Sequence, residues 1–367
     1  MTDPRFPPRL ALTSAYVPVR TALPFTIARG GSSEYPTVTV RVRDAADGAE
    51  GWGEAAPSRF YGETPASVAG ALPHLEHVLA GCDPWHLDEA ERRMRAALRG
   101  NGAARTAVSV ALHDLAARRL GVPLYRLLGL NPGEAPRSSF TIGLAADDRE
   151  LEARVAAAAE YPILKVKLGH ADGPTRDAAV MRRVRELAPG KVLRVDANAA
   201  WGPKTAVRMS ALLAELGVEF LEQPVPAGDV EGLAFVRARG ALPVVADESC
   251  VDAADVARLA RAGAVDGVNL KLAKCGGLRE ALAIVAAARA HGLLVMCGCM
   301  IETSLGITAA AHLSPLLDAA DLDGAALLAH DPYEGATVAG GVVRLPDAPG
   351  LGVRERGAPP AAARPGA

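Results

Sequence analysis

Five charged residues recur through the second half of the chain at nearly constant intervals. They are Lys167 in ILKVKLG, Asp196 in KVLRVDAN, Glu222 in VEFLEQP, Asp247 in LPVVADES and Lys271 in VDGVNLKL, separated by 29, 26, 25 and 24 residues. Each closes an apolar run of strand length, and each interval is about one strand–helix unit. Three carboxylates gathered at one height would repel one another and raise each other's pKa values. A hard divalent cation resolves that conflict, and one Mg2+ per subunit suits few carboxylates with positions left for water or substrate. Zinc would call for histidine or cysteine, and neither recurs in this register. Lys167 and Lys271 then flank the cation. Lys165 shares a strand face with Lys167, since side chains alternate with period two, and a neighbouring like charge eases deprotonation of an amine. Such an amine can serve as general base, taking an α-proton next to a carboxylate held by Mg2+ to give an ene-diolate. Bases on both faces of that carbon would remove the proton on one side and return it on the other. That is racemisation or epimerisation.

Taken singly, these residues have plainer explanations. An aspartate after a strand is commonly the N-cap of the next helix, and a strand lysine can snorkel to solvent. Five of them in consecutive units are not explained that way. From a different class of function, a non-catalytic barrel that binds a metal and a ligand remains an alternative. Downstream, Asp321 and Asp323 in DLDG would share one face if extended, and such a pair could grip an ammonium group. A solvated turn is the competing reading there.

Positioning the five charges requires parallel strands of equal height. After Pro136 the chain alternates short apolar runs with helical segments such as PTRDAAVMRRVREL and PKTAVRMSALLAELG. That texture signals a parallel sheet, and so many units predict closure into an α/β TIM-type barrel with its active site at the C-terminal mouth of the strands. A doubly wound open sheet is disfavoured, because no glycine fingerprint follows an early strand. Residues 1–125 read instead as an α+β module. TVTVRVRD alternates, Asp47-Gly48 makes a turn, and GWGEAAP resumes as in a hairpin. Thr64 and Pro65 have the types of an N-cap and first helical position, and NGAARTAVSVALHDLAARRLG reads as a long amphipathic helix closing at Gly121.

The 367 residues carry 40 basic and 42 acidic side chains, a net charge of −2, and are half hydrophobic. That near-balance argues against a nucleic-acid partner, and no basic helix points to a membrane surface. Five cysteines without framework spacing fit a reducing cytoplasm, and MTDPRFPPRL has no secretory h-region. The most apolar stretch is interrupted by Arg289, His291 and Gly292, so a buried helix followed by a strand is expected rather than a membrane span. Residues 358–367 are expected to be a disordered tail.

KVK at 165–167, VDAN at 195–198, LEQP at 221–224, ADES at 246–249 and NLK at 269–271 together resemble the muconate-lactonising-enzyme subgroup of the enolase superfamily. The resemblance runs over nearly the whole chain. It implies a capping domain over 1–125, a modified (β/α)7β barrel over 126–329, and a segment over 330–357 packing back on the cap. It also implies Asp196, Glu222 and Asp247 as Mg2+ ligands, Lys167 and Lys271 as the acid/base pair, and Lys165 as a tuner that helps bind the substrate carboxylate. DLDG, with GCM at 298–300 upstream, resembles the dipeptide epimerases, where the aspartate pair holds the substrate's α-ammonium. PFTIARGGSSE and PSRFYGET resemble the two specificity loops of L-Ala-D/L-Glu epimerases. Arg29 would then face a glutamate side chain, with Tyr61 and Arg59 as weaker candidates. Asn198, Cys299, Met300 and Glu302 complete the implied substrate-binding set. A homo-oligomer acting on a small dipeptide in murein peptide recycling is the expected setting. An epimerase for other dipeptides and an N-acylamino-acid racemase are the same-class alternatives.

Overall fold

The computed structural model describes residues 9–357. The tail expectation over 358–367 therefore lies outside the described residues. Five strands open the chain: β1 (Leu10–Val17), β2 (Arg20–Ile27), β3 (Gly30–Glu34), β4 (Thr37–Asp44) and β5 (Glu50–Ala55). β1, β4 and β5 form an antiparallel sheet in that order, and β2 and β3 form a separate ribbon. Val38, Val40 and Val42 point into the cap core, while Arg41 and Arg43 alternate outwards. Three helices follow: α1 (Pro65–Leu79), α2 (Leu87–Ala97) and α3 (Gly102–Leu120). Thr64 caps α1 by accepting from the Ser67 N–H at 3.1 Å, with Pro65 at the first helical position.

α3 ends at Gly121 as its sequence predicts, in the left-handed conformation. It is not amphipathic, however: every residue from Gly102 to Ala117 is buried. The helix lies between the cap sheet and the barrel, so its polar residues face a seam rather than water. Thr106 donates to the Leu272 carbonyl, and Ser109 to Glu91 Oε1 at 2.5 Å. Contact with β5 is backbone to backbone. A Cβ on Gly53 would stand 2.0 Å from the Ala107 carbonyl oxygen, so only glycine fits beneath the helix.

Eight parallel strands build the barrel: β6 (Phe140–Ile142), β7 (Ile163–Lys167), β8 (Val192–Asp196), β9 (Val218–Glu222), β10 (Val244–Ala246), β11 (Gly267–Leu270), β12 (Leu294–Gly298) and β13 (Ala319–Asp321). They pair in sequence order from β6 to β13, and a parallel bridge between Ser138 and Ala320 joins the two ends. Helices follow the first seven strands and none is placed between β13 and closure, which is the (β/α)7β pattern. Phe220, Val245, Met296 and Ala319 pack together inside the barrel. Glu222, Asp247, Gly298 and Asp321 stand two residues further along those strands and hence one layer higher on the same face. An apolar floor thus lies under a polar ring. No helix among the described residues is long and apolar enough to cross a membrane.

The chain after β13 returns towards the cap. Leu351 donates its N–H to Asp114 Oδ1 at 2.7 Å, Arg41 pairs with Glu355, and the Trp52 and Tyr333 rings meet edge to face at 6.4 Å.

Candidate active site

Strand register sets the height of the charged ring. Lys167 is paired with Asp196, and Asp196 with Glu222, so the three emerge at one level from adjacent strands. Asp196, Glu222 and Asp247 are fully buried, and one carboxylate oxygen from each lies within 4.8 Å of the others. Lys167 donates to Asp196 Oδ2 at 2.6 Å, and Lys271 to Asp247 Oδ2 at 2.8 Å, from opposite sides of the triad. Burial would raise Asp196 and Asp247, yet the facing lysines hold both below the ordinary carboxylate range, Asp247 well below it. Glu222 goes the other way, pushed up to about 7 by burial and by the Asp196 charge. Burial alone would lower Lys271, but Asp247 overrides it and holds the ammonium above its ordinary value.

Lys165 is wired differently from the lone tuning charge expected of it. Its ammonium donates to Asp321 Oδ2 at 2.9 Å and stands 2.7 Å from Glu222 Oε2 and 3.6 Å from Asp196 Oδ2. Three carboxylates share this one buried cation and, despite burial, hold it well above its ordinary pKa. It bridges the triad to Asp321 at the end of β13.

Three supporting residues carry no signal in the strand-end register. Lys274, wholly buried in the short helix Leu272–Cys275, donates to Asp247 Oδ1 at 2.6 Å and to its carbonyl at 2.5 Å. Asn269 donates to Glu222 Oε1 at 2.8 Å and accepts from the Gly298 N–H at 2.7 Å. Gln223 accepts from the Asp247 and Ser249 N–H groups and donates to Ser249 Oγ and the Val225 carbonyl. Gln223, Asn198 and Ala199 have φ of 35°, 44° and 65°, left-handed values that non-glycine residues adopt at a cost. Asn269 was within reach of the sequence, since it shares a strand face with Lys271. Lys274 was legible only as a second lysine one helical turn after Lys271.

Across the mouth, Asp321 and Asp323 converge as DLDG predicts. Ser139 Oγ donates to Asp321 Oδ1 at 2.6 Å, and the Thr141 N–H to Asp323 Oδ2 at 2.6 Å. Burial raises both, but Lys165 and Lys167 bring Asp321 down to about 2. Asp323, which burial and the Asp321 charge push up to about 7, has only neutral donors of its own.

The two cap loops close over this ring around a cavity of about 760 Å3 whose lining includes Lys167, Lys271, Asp321, Asp323, Asn198, Cys299 and Met300. Arg29, Arg59, Phe60 and Tyr61 line it from the cap. Arg29 reaches down to the barrel. Its Nη1 lies 2.7 Å from Glu248 Oε1 and donates to the Asn198 carbonyl at 3.0 Å, and its guanidinium lies 4.4 Å from the Phe60 ring centre. Burial, then the Asp247 and Glu248 charges, lift the Tyr61 phenol above its ordinary value. Glu302 does not line the cavity. It folds back to accept from the Met300 N–H at 2.7 Å, and burial next to Glu54 lifts it to about 8.

The arrangement is that of known proteins. Residues 148–356 match the Enolase C-terminal domain-like family, and residues 11–129 the Mandelate racemase / muconate lactonizing enzyme N-terminal domain. An L-Ala-D/L-Glu epimerase of Bacteroides thetaiotaomicron is 38% identical over 90% of this chain and 84% of its own length. An L-Ala-D/L-amino acid epimerase of Pedosphaera parvula is 42% identical over 84% of this chain and 88% of its own. Among solved structures, a dipeptide epimerase from Cytophaga hutchinsonii complexed with Mg and D-Ala-L-Val superimposes with a TM-score of 0.88 at 30% identity, covering 96% of each chain.

Proposed function

We infer the function of this protein from one premise: the chain belongs to the mandelate racemase / muconate lactonizing enzyme family. Within that family it is an Mg2+-dependent dipeptide epimerase, inverting the α-carbon of the C-terminal residue, with L-Ala-D/L-Glu as the leading substrate pair. The observation that carries this reading is the placement of Lys167 and Lys271 on opposite sides of one carboxylate triad, with Asp321 and Asp323 across the mouth.

Asp196, Glu222 and Asp247 fit the metal. They offer hard oxygen donors, they are buried beyond the reach of bulk water, and Glu222 Oε2 makes no aligned hydrogen bond. When bound, Mg2+ supplies positive charge that steadies a substrate carboxylate and the negative charge that grows on it as the α-proton leaves. Asp321 and Asp323 hold the dipeptide's ammonium at the β13 side, which fixes its C-terminal end over the triad. One lysine, as the free amine, takes the α-proton from its face. The other, as the ammonium, delivers a proton to the opposite face. The apolar floor of Phe220, Val245, Met296 and Ala319 keeps water from entering beneath the reacting carbon.

Further elements of the reading are the division into a cap over 1–125, a barrel over 126–329 and a returning segment over 330–357. A homo-oligomer at work in the cytoplasm on murein peptides is part of it too. Other dipeptides as substrates form a second reading, favoured by the pairing of Arg29 with Glu248 and by the wide side-chain range in the name of the Pedosphaera relative.

The test is α-proton exchange in D2O. Lys167→Ala and Lys271→Ala should each lose exchange on one face, by about 10²–10⁴-fold, with the other face less affected. Wild-type protein that exchanges no dipeptide from a broad L-Xaa-L-Xaa library would sink the proposal.

A further inference from the structure

Arg29 is the cap residue placed to meet an acidic side chain on the substrate, yet its positive charge is already matched. Glu248 stands next to Asp247 in sequence, at the end of β10, and its side chain is only 1% exposed. Glu248 Oε1 lies 2.7 Å from Arg29 Nη1, and its Oε2 has no hydrogen-bond partner. Both residues line the central cavity. Arg29 Nη1 donates to the Asn198 carbonyl and forms an ion pair with Glu248, and its side chain is 34% exposed. A guanidinium has five N–H donors in a fixed fork, so its remaining edge can still take a carboxylate.

Direction around the ring places this pair. Asp321 and Asp323 occupy the β13–β6 side of the mouth, while Asn198 and Glu248 follow β8 and β10 on the far side, with the carboxylate triad. A dipeptide with its ammonium at β13 extends its second residue towards Arg29. A carboxylate on that residue meets the attraction of Arg29 and, a few ångströms further, the repulsion of Glu248. Coulomb energies in a partly buried site fall only as the inverse of distance, so the second charge cancels much of the first. A neutral side chain feels neither.

We propose that Glu248 is a specificity-determining residue that offsets the charge of Arg29, so that the subsite admits neutral as well as acidic side chains at the epimerised position. This inference rests on the dipeptide epimerase reading. Glu248 acts by opposing charge, through its ion pair with the guanidinium. Glu248→Gln keeps the size and shape of the side chain beside Arg29 and removes the charge.

The experiment compares kcat/KM for L-Ala-L-Glu with that for its neutral isostere L-Ala-L-Gln, measured by α-proton exchange in D2O. The ratio of the two cancels any general loss of folding or of metal affinity. Glu248→Gln should raise the Glu-to-Gln ratio about tenfold, which is ~1.4 kcal/mol of discrimination. Arg29→Met, on a partly exposed cap loop, supplies a second reading with the barrel intact. With Glu248 unopposed, its ratio should fall below one; an Arg29 acting without Glu248 would leave it at about one. A ratio unmoved or lowered by Glu248→Gln, or an Arg29→Met ratio at one, overturns the inference alone. Wild-type protein that exchanges neither dipeptide overturns the epimerase reading, and this inference with it.

Discussion

Buried carboxylates occur in two regions of this molecule, and three aspartates of one behave opposite to three glutamates of the other. At the barrel mouth, Asp196, Asp247 and Asp321 are buried, yet all three are held below their ordinary pKa by Lys165, Lys167, Lys271 and Lys274. In the cap–barrel seam, Glu54, Glu91 and Glu302 are also buried, but burial wins and lifts all three. Their hydrogen bonds come chiefly from backbone N–H groups and hydroxyls: Thr303 and Gly306 to Glu54, Ser109 and Arg279 N–H to Glu91, Met300 N–H to Glu302. Burial therefore does not decide whether a carboxylate is charged. The balance of facing cations against burial and neighbouring carboxylates does. The three mouth aspartates keep their charge among lysines that a metal and a substrate can replace as partners, while Glu222 and Asp323 beside them are pushed up to about 7. In the seam, burial favours the protonated form and the carboxyls serve as adhesive.

The sharpest way to break this contrast is to remove the shared cation. Lys165→Met leaves Glu222 and Asp321 facing each other without it, and stability of the metal-free protein should fall by about 3–5 kcal/mol in urea unfolding at neutral pH. The deficit should shrink in acid, where those carboxylates can be protonated. A loss that does not depend on pH would mean that packing, not charge, was lost.

Next in size is the aspartate pair, where the contrast appears within two residues. Asp321→Asn should lower kcat/KM for free dipeptides by about 10²-fold, because it removes a buried ionised partner for the ammonium. Asp323→Asn should cost less, since that carboxyl, near 7, is already partly protonated in neutral solution. Turnover at the wild-type rate in the double variant would show that the pair grips nothing.

The smallest effect lies in the seam. Glu302, lifted from 4.5 to about 8, keeps a proton in the folded state that the unfolded chain has released across that window. Its contribution to stability therefore declines as pH rises from 4.5 to 8. Glu302→Gln should be close to neutral at pH 5 and stabilising by about 2 kcal/mol at pH 9, measured as the difference from wild type in urea. The reverse sign would place Glu302 with the charged carboxylates of the mouth.

Much of the mouth was legible in the sequence because each of its ring residues ends an apolar strand, and strands recur with the helix that connects them. Lys167, Asp196, Glu222, Asp247 and Lys271 are read from that interval, and the barrel with them. The seam left no such trace. Thr106, Ser109 and Glu91 look like ordinary surface polar residues of a helix until the barrel covers them, and so α3 reads as amphipathic when it is buried all round. Lys274 escaped for a related reason: it stands on a single helical turn, outside any strand register. The partner of Arg29 was equally hidden, because Glu248 follows a triad carboxylate and reads as part of the same ADES motif. Long-range pairing between a cap loop and a barrel strand has no periodicity to reveal it.

Gly102 opens α3 with its backbone against the short helix after β11. A Cβ there would stand 2.4 Å from the Lys274 carbonyl oxygen. The same lysine donates to both the carbonyl and the side chain of Asp247. The cap therefore reaches the centre of the chemistry twice, once through its loops above the cavity and once through this contact, where no substrate ever goes. Cap and barrel are consequently not interchangeable parts. A cap grafted from a relative to alter side-chain preference would have to bring a residue without a side chain to position 102, or it would press on Lys274 and displace Asp247 without any substitution among the residues that line the cavity.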